Sequence, residues 1–423
     1  MSGEVAELVR GTDAVPSGWR SLRLGDVATL SGGTTPSRAE PDYWENTTIP
    51  WATPSDITSL ATGANRIADT ETKISEKALA ECSLTLNPPG TVLMTSRATI
   101  GFAAINQVPM ATNQGFITFR VGGDLDADFL LYWLTAQRNN LVAAAGGSTF
   151  KELSRGTAKL LPILLPPLDE QRRIAEVLRS VDEAIARTKL AVEQASCAIE
   201  GMLQRLFVEG IGHSDFKDGH STPIPASWDE KSLGELSATP VTYGVVQPGP
   251  NVADGIPFVR GGDFPNGTIN IGALRKIGRD VASQYRRTQL KGGEIVVSLV
   301  GYPGACAIVP DELAGANIAR QAALIRPGKE VAASYLYQFL RSPIGQDRLK
   351  KETIGSAQQV INLRDLKEVI VALPPKHEQE QIAAILDDLD AFVELETANL
   401  DKLTALKISI ASDLLSGRVR VPA

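Results

Sequence analysis

Histidine and cysteine are almost missing from this chain, with three of each in 423 residues. His213, His220 and His377 are too few and too scattered to build a metal site. Cys82, Cys197 and Cys306 are odd in number and contain no CxxC pair. That spacing excludes a zinc ribbon and a disulfide framework, and it points to a reducing compartment, the cytoplasm. No run of about 18 apolar residues offers a membrane span. The opening Met1–Arg10 has no basic region leading into an apolar stretch, so a signal peptide is not expected. Strong charge of either sign is also lacking. The net charge is −7. Residues 1–165 carry 13 Lys and Arg against 16 Asp and Glu, whereas residues 224–370 carry 17 against 14. Neither half advertises nucleic-acid binding by charge alone. A Walker loop, HExxH and GxSxG are all absent, which leaves no familiar catalytic signature.

What the chain does have is an internal repeat. Leu165-Pro-Pro-Leu-Asp-Glu-Gln-Arg-Arg-Ile174 returns, 208 positions on, as Leu373-Pro-Pro-Lys-His-Glu-Gln-Glu-Gln-Ile382. Each copy opens a heptad ladder. The first runs Ile174, Leu178, Val181, Ile185, Thr188, Val192, Ala195, Ile199, Met202, Leu206. The second runs Ile382, Leu386, Leu389, Val393, Glu396, Leu400, Leu403, Lys407, Ile410, Leu414. A 3.5-residue repeat keeps one seam of a helix against a partner helix, so two ladders in one register predict two helices packed on each other. Thr188, Glu396 and Lys407 break the ladders, and such breaks fix register or mark a joint.

Each ladder follows a region of similar size. Val15-Pro-Ser-Gly-Trp19 matches Ile224-Pro-Ala-Ser-Trp228, and each Trp reads as a core anchor. Ile49–Ile57 matches Ile256–Phe264, and Pro89–Gly101 matches Gly292–Gly304. β-Branched runs at Thr91–Met94, Phe116–Phe119, Ile295–Leu299 and Ala322–Ile325 predict strands, while Asp128–Gln137 and Ala333–Leu340 predict amphipathic helices. The paired prolines stop each globule, and Gly210 and Gly417 suit helix ends. The expected partition is a first domain over 1–165 (with a polar lead-in at 1–13), a helix over 166–210 and a joint over 211–223. A second domain over 224–373, a second helix over 374–417 and a tail over 418–423 complete it. The fold class is α+β. Two similar mixed α/β domains are joined by two long antiparallel coiled-coil helices of about 60 Å each, with a pseudo-two-fold internal repeat.

Two apparent catalytic motifs have weaker support than their structural readings. Asn87-Pro-Pro-Gly90 resembles a methyltransferase loop but lacks its aromatic residue, and a turn before a strand explains it. Pro41-Asp42 with Glu71-Thr72-Lys73 fits a loose nuclease spacing that has no counterpart in the second half.

Taken together, the paired Leu-Pro-Pro-x-x-Glu-Gln-x-x-Ile segments, the joint Glu209-Gly-Ile-Gly-His213, and the ending Asp413-Leu-Leu-Ser-Gly417-Arg-Val-Arg-Val421 resemble the specificity subunit of type I restriction-modification enzymes. Thr242–Gly249 and Phe258–Asp263 also look like stretches of that family's recognition domains. The resemblance implies two target-recognition domains, each reading half of a split asymmetric site in double-stranded DNA. It implies two docked methyltransferase subunits carrying S-adenosylmethionine, and two restriction subunits carrying ATP and Mg2+. This chain would itself hold no cofactor and no metal and perform no catalysis, in a cytoplasmic phage-defence complex. Half-sites read this way lie about one helical turn, 34–36 Å, apart.

Arg pairs with guanine and amide groups with adenine, so loops carrying such side chains are the candidate readers. In the first domain these are Thr34, Thr35, Ser37, Arg38, Ser96, Arg97, Asn113 and Gln114. In the second they are Tyr243, Gln247, Arg260, Tyr302, Asn317 and Arg320. Arg275, Lys276, Arg279, Arg286, Arg287 and Lys291 would suit phosphates, which position without specifying. Glu170, Gln171, Glu378 and Gln379, on expected outward helix faces, are candidates for subunit docking. Each of these residues also reads as an ordinary turn or surface side chain. A protein-binding scaffold is the alternative of a different class, and nuclease activity through Asp42 and Glu71 is a third.

Overall fold

A computed structural model describes residues 15–61, 63–147, 151–351, 353–354 and 360–421; the lead-in expected over 1–13 lies outside them. The chain divides into two compact units. One is formed by the chain up to Ala191 together with Glu396 onward, and the other by Val192–Leu395. The division cuts each long helix and does not set the helices apart as segments of their own.

In the first unit, a five-stranded sheet has the order Ala28–Gly32, Phe116–Val121, Val92–Thr95, Ala103–Asn106, Arg66–Ile67. Val92, Met94, Ile117 and Phe119 point into the main core beside Phe129, Leu130 and Trp133 of the helix Ala127–Ala136. A three-stranded sheet places Ile49–Ala52 between Lys73–Ile74 and Ala111–Thr112, the last pairing parallel.

The second unit repeats both sheets. Its four-stranded sheet runs Thr242–Tyr243, Ala322–Ile325, Ile295–Ser298, Cys306–Ile308. Its three-stranded sheet places Ile256–Val259 between Arg275–Ile277 and Asn317–Ile318, again with the last strand parallel. The strands and helices anticipated from β-branched runs and amphipathic spacing fall within a residue or two of their expected places. Alternation and helical period are local signals, and boundaries are their weakest part.

The long helices are Leu168–Leu206 and Lys376–Ser416. Within the first unit, Ile174 and Leu178 share a core with Leu414 and Leu415, and Asp182 meets Lys407. Within the second, Ile199, Leu203 and Phe207 share a core with Ile382 and Leu386. Residues late in one helix meet residues early in the other, so the helices pack antiparallel, as the two ladders require. Gly210 (φ +66°) and Gly417 (φ +74°) follow the helix ends in the left-handed region. A Cβ at Gly210 would sit 2.6 Å from Trp228, and one at Gly417 would sit 2.5 Å from Pro16, so both conformation and space call for glycine there.

Candidate nucleic-acid interface

The two domains share backbone bonds at matched places. Asn113 N–H donates to the Ala52 carbonyl at 3.0 Å and Ala319 N–H to the Val259 carbonyl at 2.8 Å. Ser96 N–H donates to the Gly115 carbonyl at 2.7 Å and Leu299 N–H to the Gln321 carbonyl at 2.8 Å. A carboxylate caps the same turn in each: Asp56 accepts from Thr53 N–H at 2.7 Å and Asp263 from Arg260 N–H at 2.8 Å. Counting from these bonds, Thr53 corresponds to Arg260, Gln114 to Arg320, and Arg97 to Val300. One backbone frame thus carries different side chains at matched places.

In the first domain, a cleft of about 670 Å3 gathers Thr34, Ser96, Arg97 and Gln114 with Glu152 and Arg155. Thr35 joins them through a short hydrogen bond from its hydroxyl to Gln114. Arg97 Nε lies 2.9 Å from Glu152 Oε1. Ser96 is buried, and Asn113 Oδ1 accepts from Gly115 N–H at 2.8 Å, so both shape the turn and are poorly placed to meet a base. Arg38 and Ser37 are exposed but held separately. The Arg38 guanidinium lies 3.7 Å over the Trp44 ring, whose Nε1–H donates to the Ser37 carbonyl at 2.9 Å.

In the second domain, Tyr243, Gln247, Arg260, Tyr302 and Arg320 are exposed. Arg260 is splayed in a fork on Asp263, with Nη2 to Oδ1 at 2.7 Å and Nε to Oδ2 at 3.2 Å. Hydrogen bonding to that carboxylate pushes the Arg260 pKa further up. Asn317, offered as a reader, is fully buried, and its Nδ2 donates to the Tyr285 carbonyl at 3.3 Å. It sits inside the parallel strand pair, where it has no route to a base. Of the basic run, Lys276, Arg279, Arg286, Arg287 and Lys291 are exposed; Arg275 is half-buried. Arg275 and Lys276 donate to the carbonyls of Gly249 and Ala253 respectively. A cleft of about 810 Å3 in the second domain is walled by Asp387, Asp390 and Glu394 with Arg341 and Tyr302, and its three carboxylates outnumber the one cation, which disfavours phosphate.

The four residues expected on outward helix faces are buried. Glu170 accepts from Trp19 Nε1 at 3.1 Å and from Arg420 through two bonds at 2.7 and 2.8 Å. The Arg420 hydrogen bond holds the Glu170 carboxyl below its usual pKa. Glu378 accepts from Trp228 Nε1 at 3.0 Å and Ile211 N–H at 3.0 Å, and lies 2.8 Å from His213 Nε2. Gln171 Nε2 donates to the carbonyls of Asp124 and Pro166, and its Oε1 accepts from Asp126 N–H. Gln379 does the same with Glu330, Pro374 and Ala332. Hence the repeated Glu-Gln pair is an internal clamp. Glu fastens the Trp that starts each domain, and Gln receives the start of a domain helix that lies earlier in the chain. Burial by that helix and by the strand before the prolines turns the first helical turn inward, so these residues do not present a docking face.

The earlier decoys resolve structurally. Asn87 is buried, with Nδ2 donating to the Met110 carbonyl at 3.0 Å, the turn before a strand. Asp42 pairs with Lys77 and Lys73 with Asp69, a pairing scheme that does not assemble the nuclease spacing. Reasoning from sequence missed Glu152, Arg155 and Trp44. No local pattern marks them; Glu152 reaches Arg97 only through a backbone bridge between distant segments.

The family model for the type I restriction modification DNA specificity domain matches this chain twice, over residues 16–194 and 225–405. The chain therefore belongs to the type I restriction-modification specificity family. Among its relatives, the EcoBI type I restriction enzyme specificity subunit of Escherichia coli is 30% identical over 74% of this chain and 69% of its own length. The MjaIX specificity subunit of Methanocaldococcus jannaschii is 34% identical, covering 52% of each chain. Among solved structures, the S subunit of a type I restriction-modification system from M. genitalium aligns over 96% of this chain and 98% of its own, with TM-score 0.57 and 14% identity. A chain from a study of type I system complex assembly aligns over 96% of this chain and all of its own, with TM-score 0.60 and 19% identity. Both share the fold. No described helix is long and apolar enough to cross a membrane.

Proposed function

We propose that each domain reads one half of a split, asymmetric double-stranded DNA site, with the long helices serving as the spacer between halves. The observation that carries this reading is the shared backbone frame with exchanged side chains: Thr53 for Arg260, Gln114 for Arg320, Arg97 for Val300. Two readers of one sequence would keep these residues alike. Two readers of different half-sites need them to differ, since base identity is read by donor and acceptor patterns on side chains. Lys276, Arg279, Arg286, Arg287 and Lys291 then serve phosphates.

The chain acts without catalysing. Methylation and cleavage belong to two methyltransferase and two restriction subunits, which hold S-adenosylmethionine, ATP and Mg2+. The test is N6-methyladenine mapping across the host genome with and without this gene. Loss of methylation at one split motif with a fixed gap is expected. If the purified chain with its methyltransferase partner selects no sequence from random duplexes, the reading fails and a protein scaffold takes its place.

A further inference from the structure

The Arg97–Glu152 pair is unusual among the exposed charges because it is built onto a backbone bridge. Arg97 and Glu152 stand directly opposite in an isolated antiparallel bridge. Leu153 N–H donates to the Ser96 carbonyl at 2.9 Å alongside it. The second domain has the same bridge, Val300 opposite Val360, with Ile361 N–H donating to the Leu299 carbonyl at 3.0 Å. Both bridges precede a helix, Arg155–Leu160 capped by the Ser154 side chain and Leu363–Glu368 entered through Asn362. Residues directly opposite in an antiparallel pair hold their Cβ atoms about 5 Å apart, so the side chains act as a unit. In one domain that unit is a cation and a carboxylate; in the other it is two valines.

A charged pair at the mouth of a polar cleft has a defined complement. A G·C pair presents two acceptors, guanine N7 and O6, beside one donor, the cytosine amino group. Arg97 supplies the fork for the acceptors and Glu152 the acceptor for the donor, side by side and about half exposed, at 46% each. The ion pair also neutralises a carboxylate that phosphates would otherwise repel. It holds Arg97 in place, so less side-chain entropy is lost on binding. Two valines can offer only apolar contact and cannot bond guanine.

Resting on the DNA-reading assignment above, we infer that Arg97 and Glu152 together read a single G·C pair in the first half-site, and that the matched Val300–Val360 position makes no guanine contact in the second.

The test uses the full chain purified with its methyltransferase subunits, selecting from a random duplex library. Replacing the pair by its counterpart, R97V with E152V, is expected to remove one G·C preference from one half-site, by roughly tenfold or more. Every other position should stay as it was. A second variant, R97K, keeps the charge and the fold but loses the planar fork. It should weaken guanine preference at that same position and leave the salt dependence of binding unchanged. Should both variants select the wild-type motif undiminished while binding weakens on all sequences alike, Arg97 is a phosphate contact and the inference is overturned. If the wild-type complex itself selects no sequence, the DNA-reading assignment fails, and this inference with it.

Discussion

The two domains solve one packing problem with different cations. In the first, Asp182 on the long helix is buried and accepts from Tyr132 Oη at 3.0 Å and Asn65 Nδ2 at 3.1 Å, with Lys407 of the other long helix as counter-ion. The neighbouring carboxylate and the burial of Tyr132 both push that phenol well above its usual pKa, with burial the larger cause. In the second, the matching carboxylate is Asp390, 208 positions on. It accepts from Gln338 Nε2 at 3.1 Å and pairs with Arg341 of the domain's own helix. Lys407 is replaced there by its repeat partner Ile199, which is buried. A cation in the helix seam therefore goes with the deeply buried carboxylate, and an apolar seam goes with a half-buried carboxylate paired to its own domain's helix. The Lys407 break in the second ladder is a partner for Asp182, and the comparison explains why only one helix carries that cation.

The clamps differ in the same way. Glu170 is closed by Arg420, from the segment after the second helix, and Glu378 by His213, from the segment after the first. Both segments follow a left-handed glycine, so the chain's ending does in one domain what its central joint does in the other.

The sharpest way to break the comparison is to remove an anchor. Trp228→Ala empties a fully buried site and is expected to cost about 3–5 kcal/mol, read by chemical denaturation, with the first domain's transition left in place. Lys407→Ala leaves Asp182 buried without its cation and should cost about 3 kcal/mol. Lys407→Ile with Asp182→Asn should recover much of that loss, because a neutral pair resembles the second domain's seam. Gln171→Ala strands the N–H of Asp126 and should cost about 1–3 kcal/mol.

Acid provides a gentler probe. The folded Glu170 pKa lies below its unfolded value, so its contribution is present above the unfolded pKa of about 4.3 and is lost as pH falls through the folded value. Glu170→Gln should flatten the acid limb of the first domain's unfolding curve below that pH. The smallest effect is expected from Asp263→Asn, which loosens the Arg260 fork without touching the core. Discrimination should fall at one position of the second half-site, with stability within about 0.5 kcal/mol.

Much of this architecture was legible in the residues. The ladders, the strands and the repeat follow from periodicity, and periodicity survives in a single sequence because each element must bury one face. Arg97, Arg260 and Arg320 were legible as exposed loop positions, since turn residues flank them. Asn317 was not. Its amide looks like a reader until the parallel pairing of Ile256–Val259 with Asn317–Ile318 buries it. The same holds for Glu170, Gln171, Glu378 and Gln379, which a helical wheel of the long helices alone would place on a solvated face.

The sequence by itself determined that there are two similar domains, two packed helices and glycine-closed ends, because these depend on local spacing and on turns that only certain residues adopt. Tertiary structure alone decided which polar side chains turn inward as clamps and which stay exposed. Burial and partnership are set by segments 50 to 250 positions apart: Arg97 with Glu152, Glu170 with Arg420. No local pattern encodes such meetings; the packing of the whole domain creates them.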